Sequence, residues 1–146
     1  VAEFCSISDL TEERADIYGL MSEDDAALTL KIEEAGLILD RDLKAKWFRP
    51  TYPDAEALGI VYSRDDLELS ELKRSGIFLT LSESFRFLAQ DAGDDIRHGL
   101  AEYYRGLYED ELAKAIAAGL TYSASQTEPI QTGGGFRMGY KMLVRA

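Results

Sequence analysis

One cysteine, one histidine and three prolines are all that the 146 residues hold of those types. Lone Cys5 excludes a disulfide within the chain, and with only His98 to join it no Cys/His metal cluster can be assembled. Cys5 reads as a small apolar residue and His98 as a surface residue on a charged helix, so neither is a catalytic candidate. No apolar run approaches the roughly 20 residues that a transmembrane helix needs. No basic-then-apolar leader is visible either, and the expectation is a soluble protein without an export signal. Basic charge is scarce as well: 16 Lys and Arg stand against 27 Asp and Glu, a net charge of −11. Phosphate binding draws mainly on Lys and Arg, so a specific nucleic-acid reader is not expected.

The motifs of common catalytic sites are missing too. There is no calcium-loop spacing, no Gly-rich phosphate loop ahead of a Lys and no serine elbow. The acidic pairs and runs, Asp24–Asp25, Asp40 with Asp42, Asp65–Asp66, Asp94–Asp95 and Glu109–Asp110–Glu111, fall at helix starts or on charged faces. There carboxylates meet the positive end of the helix dipole, and they read as solvated. No catalytic residue, cofactor or metal is expected, and the chain is not expected to be an enzyme.

What is present is helix. Apolar residues make up 46% of a chain long enough for one domain with a real core. Ser8 or Asp9 caps a short helix at about 9–20, with Leu10, Ile17, Leu20 and Met21 on one face. Ser22 and Asp25 have capping-box spacing ahead of a long apolar pattern from Ala27 through Trp47 and Phe48, which Pro50 ends. Gly36 lies inside that pattern and leaves open a kink or two shorter helices. Residues 49–64 read as a connection, with "GIVY" at 59–62 as a short extended piece. A helix over about 65–91 stops at Gly93; "IFLTL" alone would pass for a strand, but its length and charged flanks favour the helix. Asp94 or Asp95 caps the clearest helix, about 95–118, whose stripe includes Ile96, Leu100, Tyr103, Tyr104, Leu107, Tyr108, Leu112 and Ile116. Gly119 ends it.

After Gly119 the helical period stops. Residues 120–146 carry Glu128 against Arg137, Lys141 and Arg145, a net +2, which leaves −13 on residues 1–119. The hinge Gly133, Gly134 and Gly135 precedes a strict alternation. Phe136, Met138, Tyr140, Met142 and Val144 take one parity, while Arg137, Lys141 and Arg145 take the other. A strand leaves its peptide groups unpaired until it finds a sheet edge, so this one is expected to add to another chain. An intrachain hairpin with "GIVY" or residues 120–131 is the alternative. The fold class is therefore mainly α. A bundle of three to four helices over residues 1–119 carries an extended C-terminal arm over 120–146 that ends in a β-strand.

The sequence "LAEYYRGLYEDELAKAIAAGLTY" at 100–122, following "LSESFRFLAQDA" at 81–92, resembles the head-to-tail adaptor proteins of tailed bacteriophages, also called connector or head-completion proteins. The likeness covers roughly residues 67–122. It departs at Ser123 to Gln126, where an acidic or Gly-rich turn is the family's habit. The resemblance implies a structural virion protein, a homo-oligomeric ring, dodecameric in that family, at the neck between portal protein and tail. It further implies docking of the arm residues Phe136 to Arg145 onto the portal protein and contact with a stopper or tail-terminator protein. DNA would pass without specific binding, no membrane would be involved, and assembly would take place in the host bacterial cytoplasm. The rival function is an acidic helical inhibitor or DNA mimic that binds a nucleic-acid-binding protein.

Overall fold

A computed structural model describes residues 2–90 and 93–123. It is mainly helical, and among the described residues there is no strand longer than one isolated bridge. Helix α1 spans Ile7–Glu13 and begins with a reciprocal capping box. The Asp9 N–H donates to Ser6 Oγ at 3.2 Å, and the Ser6 N–H donates to the Asp9 carboxylate at 2.9 Å. The single helix expected over 9–20 is two, because Arg14 turns extended after α1 and α2 covers only Ile17–Leu20. The Arg14 side chain accounts for the break. Its guanidinium lies 5.0 Å from the centre of the Phe85 ring and donates to the Tyr104 hydroxyl at 3.3 Å. Long-range contacts of this kind outweigh the few tenths of a kcal/mol by which ordinary residues differ in helix propensity.

Ser22 does not cap the next helix. Ser22 and Glu23 take left-handed backbone angles in the turn, and Asp24 caps helix α3, Asp25–Leu43, by accepting from the N–H groups of Ala26 and Ala27. Leu28, Ile32, Ala35, Leu39 and Leu43 recur at helical spacing and are buried, whereas Leu30 and Leu37 on the outer face are exposed. Gly36 neither kinks nor divides α3. A Cβ there would lie 3.1 Å from both the Arg64 guanidinium and the Glu3 carboxylate, so glycine permits their close approach.

Pro50 does not terminate the helical run either. After Leu43 the chain passes through a π turn, Lys44–Phe48, into the short helix α4, Arg49–Thr51, whose first turn holds the proline. The Arg49 N–H bonds to the Lys44 carbonyl five residues back, so the ladder slips just before a residue with no N–H to give. The segment "GIVY" at 59–62 carries no strand.

The helix expected over 65–91 is shorter. Arg64–Asp66 and Leu69–Leu72 are 3-10 turns, and helix α5 begins at Lys73 and ends at Leu88. "IFLTL" is helical, and α5 is the central element. Residues Ser75 to Ser82 are all buried, together with Ser84 and Phe85. Small residues let neighbours approach closely, with Thr80 donating to the Gly76 carbonyl within α5 at 2.7 Å and Ser82 to the Ala101 carbonyl on the next helix at 2.8 Å. Helix α6, Asp95–Ala118, is capped by Asp94 and packs along α5, with Phe85 and Tyr104 stacked at 5.9 Å. Gly119, at a φ of 93°, turns the chain out of α6.

Candidate functional site

All the arm residues singled out by the sequence, Phe136, Arg137, Met138, Tyr140, Lys141, Met142, Val144 and Arg145, and the hinge at 133–135, lie outside the described residues. The root of the arm is described. Leu120 and Tyr122 are buried, so the core continues past the boundary drawn at Gly119. Leu67 and Tyr122 form an antiparallel bridge, the Glu68 N–H donates to Thr121 O at 3.1 Å, and the Ser123 N–H donates to Asp66 O at 2.8 Å. Glu71 holds Thr121 twice, through its N–H at 2.8 Å and its hydroxyl at 2.9 Å. The backbone of Asp66 and Glu68 and the side chain of Glu71 thus hold the arm root just ahead of α5.

Tyr122 delivers the root into an aromatic cluster. Its ring lies 5.2 Å from Trp47, 5.8 Å from Phe48 and 6.0 Å from Tyr52, and its hydroxyl accepts from the Ser63 N–H at 3.0 Å. Burial pushes the Tyr122 phenol up to about 12. The aromatic set of α6 divides. Tyr104 and Tyr108 face the core, while Tyr103 is 59% exposed and Ile96 is 79% exposed. These two stand seven residues apart, with Asp110 and Ala117 next on that line and Gly99, Gly106 and Ala113 on the line beside it, all exposed. The stripe thus divides into a core-facing part and an outer part that no described residue covers. Small residues on such a line let a second helix come close.

The acidic runs are not uniformly solvated. Asp40 accepts from the Tyr62 hydroxyl at 2.8 Å and from the Arg64 guanidinium at 2.6 Å, and Asp42 accepts from the Tyr108 hydroxyl. Burial first, and then the bond to Asp42, holds the Tyr108 phenol far above its ordinary range. Asp65, Asp95, Glu109 and Asp110 are exposed, as read from the sequence. Cys5 is buried with its sulfur 3.7 Å from the Thr80 hydroxyl, and burial pushes its thiol up to about 11, which suppresses the nucleophilic thiolate. His98 is exposed. Among the described residues no three His, Cys, Asp or Glu side chains are grouped to hold a metal, and no helix is long and apolar enough to cross a membrane.

The stretch "KAKWFRPTY" at 44–52 reads in sequence as a helix end running into a connection. Its signal was nevertheless present: three cations and three aromatics, with no acid, inside a strongly acidic body. No family model, curated protein or solved structure matches this chain.

Proposed function

We propose that the chain is a structural interaction protein, a head-to-tail adaptor subunit that forms a homo-oligomeric ring beneath a portal protein and carries no catalysis. The observation that carries this reading is the uncovered face of α6. Ile96 and Tyr103, with the small residues that follow them, lie within the segment 67–122 whose sequence resembles that family. Large exposed apolar side chains at heptad spacing suit a helical neighbour, and tyrosine combines apolar area with a polar tip, as interfaces favour. The acidic body supports the same reading, because carboxylates along a channel repel the phosphates of passing DNA. Neck assembly in the virion, a tail-side partner and docking of residues 136–145 on the portal by strand addition complete the proposal.

The test measures mass in solution, alone and with a candidate portal ring, for the full chain, for a chain ending at Gln131 and for the Ile96→Glu/Tyr103→Glu variant. The full chain is expected to join the portal in several copies. The shortened chain is expected not to dock, and the charged variant is expected to lose multi-copy assembly while its circular dichroism is unchanged. Undiminished docking by both variants, or binding of a basic nucleic-acid-binding protein in place of the portal, would overturn the reading and favour the acidic inhibitor.

A further inference from the structure

The π turn and the loop that follows α4 line an open cleft of about 500 Å³, within the size range of small-molecule sites. Phe48, Tyr52 and Tyr62 are among its lining residues. The rings are held by one another, Phe48 lying 5.4 Å from Tyr52 and 5.8 Å from Tyr62 between centroids, with Trp47 and Tyr122 packed behind them. Such a wall is formed before any ligand arrives, which lowers the ordering cost of binding.

Charge at this cleft runs against that of the body. Lys44 and Arg49 line it, both exposed, and neither pairs with a carboxylate among the described residues. The Lys44 ammonium sits 5.8 Å from the centre of the Tyr62 ring instead. Glu56 is the one carboxylate on the wall. Tyr52 also lines the cleft, while its hydroxyl is buried away from solvent. The turn carrying Lys44 and Phe48 is itself a π turn, a distortion that recurs at functional sites.

From this juxtaposition we infer a binding site for a small planar aromatic molecule that bears a carboxylate or phosphate. Its ring lies against Phe48, Tyr52 and Tyr62, and its anion meets Lys44 and Arg49. A long polyanion does not fit the surroundings, because Glu3, Glu33, Asp40 and Asp65 line the groove on the other side of Lys44 and Tyr62 and would repel successive phosphates.

The experiment titrates the full isotope-labelled chain with 2-naphthoate, and separately with the neutral 2-naphthalenemethanol, following backbone amide shifts. Saturable shifts confined to residues 44–62 are expected, with naphthoate binding at least tenfold more tightly than the alcohol. The K44Q/R49Q variant, altered only at exposed positions, is expected to lose that tenfold preference and keep the alcohol's affinity within twofold. Raising NaCl to 0.5 M on the unaltered chain is expected to weaken naphthoate alone, a check that needs no variant. Absence of saturable shifts at 44–62, equal affinity for acid and alcohol, or a preference indifferent to both the variant and salt would overturn the inference.

Discussion

Arg64 carries a full positive charge where only 8% of its surface meets solvent, and every nitrogen of its guanidinium has a partner. Nε donates to both Asp40 oxygens at 3.1 Å and Nη2 to Oδ2 at 2.6 Å, while Nη1 reaches the Ala2 carbonyl at 2.9 Å and Glu3 Oε1 at 3.1 Å. The guanidinium also lies over the Phe4 ring at 4.7 Å. One side chain thereby ties residues 2–4 and the loop before α5 to the middle of α3. Removing one member of a buried pair leaves the other charge uncompensated, at a cost of about 3–5 kcal/mol. Arg64→Met should therefore lower the unfolding free energy by about 3 kcal/mol, read from urea denaturation. Adding Asp40→Asn should return at least a third of the loss, and a single-variant loss too small to resolve would show the pair to be dispensable. In the sequence Arg64 was one charge among many in "SRDD", and nothing local marked it as buried.

At the scale of elements, caps show where local chemistry suffices. Asp94 and Gly119 bracket α6 as the residue preferences require, because an N-cap carboxylate and a left-handed glycine act on the nearest few peptides alone. Ser22 and Asp24 show where it does not. Both have side chains suited to capping, and only the path of the turn decides between them. Asp24→Ala should cost about 1 kcal/mol, as loss of an N-cap does, whereas Ser22→Ala should stay within about 0.5 kcal/mol. Equal losses in urea midpoints at unchanged slope would return the cap to Ser22. The π turn at Lys44–Phe48 was likewise illegible. Pro50 announced a disturbance of the helix, but whether the chain stops or slips by one residue depends on what Trp47 and Phe48 bury themselves against.

Over the whole molecule, one core gathers Cys5, Tyr52, Tyr62, Tyr108 and Tyr122, and burial is the largest influence raising each of these acids. The folded state thus holds their protons more tightly than the unfolded chain does. Their contribution is fully present below the unfolded values, 9.0 for the thiol and 10.0 for the phenols, and is lost as pH rises through the folded ones, about 11 for Cys5 and about 12 for Tyr122. Stability should be flat up to about pH 9 and fall steeply above pH 10. The phenolate absorbance of the buried tyrosines should appear together with loss of helical circular dichroism. Tyrosine ionisation that precedes unfolding by a full pH unit would contradict this account. In Cys5→Ala the decline should begin nearer pH 10, where the phenols start to ionise.

The residues alone determined that this chain is helical, where α6 begins and ends, and that "IFLTL" lies in a helix if its neighbours do. Those properties depend on periodicity, caps and composition, which act over one or two turns. Only the tertiary structure decided that Leu30, Leu37, Ile96 and Tyr103 face outward, that Asp40 and Asp42 are partnered, that residues 66–71 hold the arm root ahead of α5, and that the cations of 44–49 stand beside an aromatic-lined cleft. An apolar pattern broader than one helix face can be satisfied in several ways. Which side is covered depends on the neighbours it meets, and those neighbours come from distant parts of the chain.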